Sequence, residues 1–239
     1  MEMTASNFVL GFGEAGWGTV LLQATMMTLA VALTGYAFGL LVGAVGAWTK
    51  LKGGTLLRLM ADAYTTVLRG IPDILVIYLF YFGSSAVLTP LAGLFGISGF
   101  VSLPGFMAGA LAIGLVSGAY QTEVMRGAYR AVPAGEIEAA IACGMSRLTM
   151  FRRIVAPLVL RHALPGLGNV WQLVLKESAL ISVTGLVEIV RQAQIGAGST
   201  GQPFTFFFAA AVLYLAISSL STWLLQWAER RFTLGLRRV

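Results

Sequence analysis

Residues Ala131 to Pro165 read AVPAGEIEAAIACGMSRLTMFRRIVAPLVLRHALP, and this stretch decides how the rest of the chain is organised. The chain around it is strongly apolar, whereas this interval is crowded with ionisable side chains: Glu136, Glu138, Arg147, Arg152, Arg153, Arg161 and His162. Each would be expensive to bury in hydrocarbon. The interval is therefore predicted to lie outside the membrane, between two membrane spans.

The apolar residues of this interval recur at helical spacing in two runs: Ile137, Ala140 and Ile141, then Leu148, Phe151 and Val155. Gly144 is placed as the residue just past a helix end, and Ser146 can cap the second run. Pro157 is expected to end or bend that run. The pattern predicts two short helices around a glycine turn, offering an apolar stripe to a partner. An ordinary amphipathic loop is the competing interpretation.

Composition sets the class of protein. In 239 residues, 57% are hydrophobic, 11% are charged and the mean hydropathy is +0.82, values that predict an all-α integral membrane protein with several spans. The net charge of +6 is attributed to membrane topology, so nucleic acid is not expected as a partner.

Five transmembrane helices are predicted within 19–228, at about 20–48, 59–82, 105–129, 166–190 and 204–228. They are flanked by an external tail, 1–18, which lacks the positive n-region of a signal peptide, and a basic tail, 229–239. Two connections are predicted from their glycines and prolines: an external segment at 84–104 and a turn region at 189–203. Gly35, Gly39 and Gly43 place small residues on one face of the first span, where another helix can pack closely.

Basic residues set the predicted orientation. Segments 49–58, 126–161 and 230–238 hold three, six and four of them, while the opposite side holds only Arg191. Because cytoplasmic loops collect lysine and arginine, the N-terminus is predicted outside, the C-terminus inside and the central interval in the cytoplasm.

The sequence contains no obvious catalytic apparatus. It lacks the G-x-x-x-x-G-K-[ST] string that cradles ATP phosphates. His162 and Cys143 are the only residues of their kinds, so an internal disulfide and a histidine or cysteine metal cluster are excluded. The chain is predicted to be a non-enzyme without a cofactor or metal of its own, driven by an energy source that belongs to a partner.

Polar side chains inside the predicted spans are candidate functional residues. They are Ser117, Tyr120, Gln121, Glu123, Gln172, Lys176, Glu177 and Ser178. Glu123 is suited to a cation and Lys176 to a carboxylate. The alternative is that these charges hold the bundle together or bind a partner subunit. Arg69 and Asp73, four residues apart, are predicted to form a structural pair on one helix face.

The central interval resembles the EAA loop of membrane subunits of ABC importers. The matching residues are Glu138, Ala139, Ala140, Gly144, Ile154 and Pro157, with Ala156 where leucine is usual. The resemblance implies the type I ABC importer membrane fold, in which this interval, 131–165, is a cytoplasmic coupling helix docked on an ATPase subunit. Two alanines and a glycine permit close approach of a partner.

The resemblance covers nearly the whole chain. The segments 65–73, 118–128 and 163–169, together with Lys176 and the end 229–231, look like those of polar amino acid permeases, and the nearest group is the histidine, lysine, arginine, ornithine and opine permeases. It implies a bacterial inner-membrane subunit that pairs with a homologous second permease subunit. A periplasmic solute-binding protein would deliver an amino acid or opine, and a dimer of ABC ATPases would bind ATP and Mg. The polar side chains named above would line the substrate path, with Glu123 facing a substrate cation and Lys176 a carboxylate. An ATP-independent transporter or channel subunit, and a non-transporting scaffold, are the alternatives.

Overall fold

The computed structural model describes residues 9–13, 16–96 and 99–233, and the regular structure in these ranges is entirely helical. This confirms the all-α class. Most of the predicted external tail and the last residues of the basic tail lie outside the described residues. The α-helices are α1 Gly18–Lys52, α2 Thr55–Gly70, α3 Asp73–Leu94, α4 Gly105–Arg130, α5 Ala134–Ala142, α6 Arg147–Met150, α7 Ala156–Glu177, α8 Ile189–Thr200 and α9 Pro203–Thr233.

Three helices are long and apolar enough to cross a membrane by length and composition: Gly18–Lys52, Asp73–Leu94 and the Pro203–Arg231 part of α9. Helices α4 and α7 have 26 and 22 residues but carry more polar and charged side chains. Five spans therefore remain a prediction.

The predicted second span at 59–82 was wrong as a single element, because the chain breaks between Gly70 and Asp73. Ile71 lies in extended conformation (φ −98°, ψ 139°) and its N–H closes the end of α2 on the Val67 carbonyl oxygen at 3.1 Å. The residue before a proline is driven out of the helical region by the proline ring, which explains the break before Pro72. Arg69 and Asp73 therefore do not share one helix face.

Two segments predicted as connections are largely helical. Helix α3 continues through Pro90 to Leu94, so the predicted connection at 84–104 begins about ten residues too early. The predicted turn region at 189–203 is mostly helix α8. The Glu188 carboxylate accepts hydrogen bonds from the Val190 and Arg191 N–H groups at 2.9 and 2.7 Å, and this cap offsets the low helix propensity of the glycines that follow.

The predicted fourth span at 166–190 is displaced toward the N-terminus. Helix α7 occupies Ala156–Glu177 and is followed by a 3₁₀ helix, Ser178–Thr184, which ends at Gly185 in the left-handed region (φ 82°). The prediction placed the span after Pro165, but this proline is accommodated inside the helix. The third and fifth predicted spans agree closely with α4 and α9.

The described chain forms two compact units. The first combines Met1–Tyr36, Pro72–Ile113 and Val174–Ser219, and Ile77, Ile181 and Phe206 are among its fully buried side chains. The second combines Ala37–Ile71, Gly114–Leu173 and Leu220–Val239, with a core cluster around Ala128, Ala163 and Leu167.

Glycines of α1 pack against α4 inside the second unit, as predicted. A Cβ atom built on Gly43 would lie 2.8 Å from the Gln121 Cβ atom, and one built on Gly46 would meet the Thr122 side chain equally closely. These positions leave no room for a side chain, so the backbones of α1 and α4 approach each other closely.

Candidate functional site

The end of α5 in the central loop is a complete Schellman motif. Gly144 adopts the left-handed conformation (φ 68°) just after the capping residue, Cys143. The Gly144 N–H donates to the Ile141 carbonyl oxygen at 2.9 Å, and the Met145 N–H donates to the Ala140 carbonyl oxygen at 3.1 Å. These are the two hydrogen bonds that define the motif, and they confirm the predicted role of Gly144 as the turn residue.

Ser146 caps the next helix, also as predicted. Its side-chain oxygen accepts a hydrogen bond from the Thr149 N–H at 3.3 Å. Pro157, in contrast, does not end the second run. Residues Phe151–Val155 form a π-helical segment closed by the Ala156 N–H donating to Phe151, and the chain continues directly into α7. Pro157 lacks an N–H group, and the wider π turn just before it accommodates this missing donor, so the helix continues past the proline.

The loop exposes a row of large apolar side chains. Ile141, Leu148 and Phe151 are 61%, 66% and 47% exposed, whereas Ala140 and Val155 are buried. All five lie within the second unit. Of the remaining motif residues, Glu138, Ala139, Gly144 and Pro157 are exposed and Ile154 is half-buried. The loop therefore fixes its own backbone with internal contacts and leaves apolar surface uncovered, as expected of a docking element.

Within the second unit, a charged network joins the C-terminal parts of α1 and α4 to the middle of α2. The buried Lys50 ammonium donates to Thr65 Oγ1 at 2.6 Å and contacts Asp62 Oδ1 at 2.8 Å and Glu123 Oε1 at 2.5 Å. The other Glu123 oxygen accepts from Arg126 Nε at 2.9 Å. A buried ammonium requires compensation by carboxylates, and this network supplies it. Glu123 thus already has two internal cations, and its predicted role in a substrate path stays a prediction.

The other predicted path residues of the second unit lie on α4 and α7. Ser117 and Gln121 are completely buried. Arg69 places its guanidinium carbon 5.3 Å from the centre of the Tyr120 ring, a cation–π arrangement. On α7, Gln172 donates a hydrogen bond to Thr222 at 3.1 Å. The first of these contacts joins α2 to α4 and the second joins α7 to α9, so each fixes the orientation of a polar side chain.

In the first unit, Glu177 is buried, and its carboxyl group lies near the carboxyl group of Asp73. Neither Glu177 oxygen accepts a hydrogen bond from an N–H or hydroxyl group among the described residues. Two neighbouring carboxylates repel each other, so a cation between them would stabilise the pair. Lys176, next along α7, is exposed.

A second buried carboxylate of the first unit has a complete set of partners. Glu188 is fully buried, caps α8 and accepts a further hydrogen bond from the Tyr214 hydroxyl at 3.1 Å. Thr28 Oγ1 accepts from the Ile189 N–H at 3.2 Å. This arrangement holds the start of α8 against α1 and α9.

The sequence analysis did not assign a role to Lys50, Asp62 or Glu188, and it did not place Asp73 beside Glu177. Lys50 and Asp62 lie where basic and acidic residues ordinarily flank a span, so their sequence positions carry no special signal. Glu188 stands directly before an amphipathic run, and this position is typical of an N-cap.

These features describe a helical subunit in which a structured loop with exposed apolar side chains connects helices that carry buried polar groups. The chain belongs to the family of binding-protein-dependent transport system inner membrane components, which matches residues 35–234. It is a permease subunit of an ABC transport system, and the alternatives of an ATP-independent transporter and a scaffold are not supported. Permease subunits of this kind are not themselves catalytic.

Particular relatives are similar over almost their whole length. The octopine transport system permease protein OccQ of Rhizobium radiobacter is 59% identical over 230 residues, which cover 96% of this chain and 97% of the relative. The nopaline transport system permease protein NocQ of Agrobacterium fabrum is 49% identical, covering 96% and 98%. The histidine/lysine/arginine/ornithine transport system permease protein HisQ of Escherichia coli is 39% identical, covering 93% and 97%.

Solved structures share the fold. A crystal structure of an amino acid ABC transporter with histidines superposes with a TM-score of 0.76 at 31% identity, covering 90% of this chain and 95% of that one. An inward-facing structure of the MetNI methionine ABC transporter has a TM-score of 0.64 at 18% identity, covering 98% and 100%.

Proposed function

We propose that this chain forms part of the translocation path of an ATP-driven importer of amino acids or opines and couples that path to a separate ATPase. The observation that carries the proposal is the central loop: a Schellman turn at Gly144 between the exposed side chains of Ile141 and Leu148. A short helix held rigidly by its own caps transmits a displacement better than a flexible segment does. Relatives named for octopine, nopaline and basic amino acids support the substrate class.

The topology proposed is five spans, with α4 and α7 crossing the membrane in addition to the three apolar helices. At 1.5 Å per residue, the 26 residues of α4 reach roughly 39 Å, enough for a hydrocarbon core of about 30 Å. After the central loop, residues 166–177 of α7 add roughly 18 Å, and the 3₁₀ helix Ser178–Thr184 adds roughly 14 Å at about 2.0 Å per residue. The distribution of basic residues supports an external N-terminus and a cytoplasmic C-terminus in the bacterial inner membrane. The central loop then faces the cytoplasm.

The proposed partners are those of a binding-protein-dependent transport system. The chain pairs with a homologous permease subunit as a heterodimer and receives substrate from a periplasmic solute-binding protein. A dimer of ABC ATPases docks on the central loops and binds ATP and Mg. Closure of the ATPases rocks the permease subunits and exposes the path alternately to the two sides.

Asp73 and Glu177 are the proposed site for a substrate cation. A cationic side chain or ammonium group between the two carboxyl groups would supply the positive charge that stabilises both carboxylates. Lys176 is proposed to attract the substrate carboxylate. Further polar groups of the path are proposed to come from Ser117, Tyr120, Gln121, Glu123 and Gln172.

The coupling role is tested with Glu138→Lys and Gly144→Asp in the complete transporter, reconstituted in proteoliposomes with its binding protein. Both variants should insert normally and assemble, but lose uptake and the stimulation of ATP hydrolysis by the binding protein. Arg230→Gln, outside the loop, is the matched control. Wild-type uptake by both loop variants would show that this loop is not the docking element.

The path role is tested separately with Glu177→Gln, which preserves shape but cannot be ionised, and with Gln121→Ala and Glu123→Ala. Uptake of a basic substrate should fall at least tenfold for Glu177→Gln, while the ATPase remains stimulated by the binding protein. Unchanged affinity and rate for a variant would remove that residue from the path.

A further inference from the structure

A small polar cavity lies at the end of the second unit that contains the Lys50 network. Its volume is ≈ 190 Å³, below the roughly 300 Å³ at which pockets for drug-sized ligands begin. The lining residues are Lys50, Leu51, Arg58, Asp62, Arg126 and Arg130, four of them basic and one acidic. A cavity of this size and composition suits an oxyanion.

The charges around the cavity do not cancel. Lys50 is neutralised by Asp62 and Glu123, and Arg126 also contacts Glu123. Arg58 and Arg130 form no ion pair with any carboxylate within the described part of the chain. Four cations and two carboxylates leave an excess of two positive charges, and a concave surface focuses such a field on an incoming anion.

An apolar groove adjoins the cavity and shares Leu51 with it. The groove has a volume of ≈ 240 Å³ and is lined by Ala44, Ala47, Trp48, Leu51, Lys52, Met125, Tyr129, Phe151 and Val159. Trp48 is 63% exposed beside Tyr129, and such aromatic side chains are enriched at the boundary between hydrocarbon and headgroups. The same end of the unit therefore offers an oxyanion pocket and, next to it, space for a hydrocarbon chain.

We propose that Arg58 and Arg130 bind the phosphate of an anionic phospholipid whose acyl chain lies in the Trp48 groove. Arginine matches phosphate with paired N–H donors, and Lys52 at the groove edge adds attraction for the headgroup. The inference rests on the proposed function for its orientation, because only then does this end of the unit face the cytoplasmic leaflet, where anionic lipids attract basic segments. A free phosphate would use the pocket but would leave the adjoining groove without a role.

The site is occupied by lipid rather than by substrate, so binding can be measured without transport. The full chain is purified within its assembled transporter, delipidated and titrated with phosphatidylglycerol or with phosphatidylcholine of identical acyl chains, and bound lipid is counted by native mass spectrometry. We expect phosphatidylglycerol to bind at least tenfold more tightly. The double variant Arg58→Gln, Arg130→Gln should abolish this preference, and Arg231→Gln, an exposed arginine elsewhere, should preserve it.

Two further measurements distinguish a phospholipid from free phosphate as the ligand. Inorganic phosphate at millimolar concentration should not displace the lipid, and Trp48→Ala should weaken a long-chain lipid more than a short-chain one. Displacement by inorganic phosphate, equal binding of the two lipids, or unchanged binding by the double variant would each overturn the proposal. Should the double variant fail to assemble, Arg58→Lys keeps the charge but loses the paired donors, and it should still reduce the preference.

Failure of this inference is distinguishable from failure of the proposed function. The uncoupled variant Glu138→Lys should retain the lipid preference, since it leaves both cavities intact. Loss of uptake in that variant with retained lipid binding supports both proposals, whereas retained uptake with retained lipid binding counts only against the coupling role.

Discussion

The left-handed backbone at Gly144 gives a quantitative prediction about coupling. A residue with a Cβ atom pays about 1–2 kcal/mol to adopt this conformation, whereas glycine does not. No other atom lies within 4 Å of a Cβ built there, so the penalty for Gly144→Ala is conformational and not steric within the chain. The equilibrium constant between the ordered and the disordered loop should fall by a factor of roughly 5–30. The binding-protein-stimulated ATPase activity of the reconstituted transporter should fall with it.

Substitution by asparagine distinguishes two reasons for glycine at position 144, its backbone conformation and the close approach of the ATPase. It tolerates the left-handed region better than alanine does, although its side chain is larger. Gly144→Asn should therefore recover part of the activity lost in Gly144→Ala if backbone conformation is the requirement. If close approach of the ATPase is the requirement, the larger asparagine should be worse. Gly135→Ala is the control, because Gly135 lies in α5, has no positive φ and faces open space. Full activity of Gly144→Ala would refute the conformational argument.

Three further predictions concern stability, measured by thermal unfolding in detergent. Lys50→Met leaves the carboxylates of Asp62 and Glu123 without their ammonium group. It should destabilise the chain by an amount near the lower end of roughly 3–5 kcal/mol, because Asp62 is largely exposed. Adding Glu123→Gln should recover part of this loss. Glu188→Ala removes the cap of α8 and should cost about 1–2 kcal/mol, with faster hydrogen exchange at the two capped amides. Gly43→Val inserts volume into a helix contact and should lower the free energy of unfolding by about 1–3 kcal/mol. Gly54→Val, whose side chain meets open space, should lower it less than Gly43→Val does. Equal effects for the last pair would contradict the packing argument.

The sequence predicted the central loop well because its structure is local. The glycine turn and the Ser146 cap are specified by backbone conformation and short-range hydrogen bonds, which appear in the sequence as single residues at fixed spacing. Pro157 was misjudged because the π-helical segment before it absorbs the missing donor. This adjustment has no recognisable sequence signal.

The polar contacts were less predictable because they join residues distant along the chain. Lys50 and Glu123 are separated by 73 positions, and no periodic pattern links them. Arg69 and Asp73 were predicted to share one helix face, but Asp73 begins a new helix and lies near Glu177 instead. Composition marks such residues as unusual in an apolar environment, but only the fold selects their partners.

Cys143, which closes α5, has a practical consequence. It is the single thiol of all 239 residues, and its side chain is exposed. A fluorophore carried by a maleimide would therefore attach at one position, beside the left-handed turn, without any background to remove. Its emission would report when an ATPase arrives, and a charged, membrane-impermeant reagent would reveal which compartment that turn inhabits.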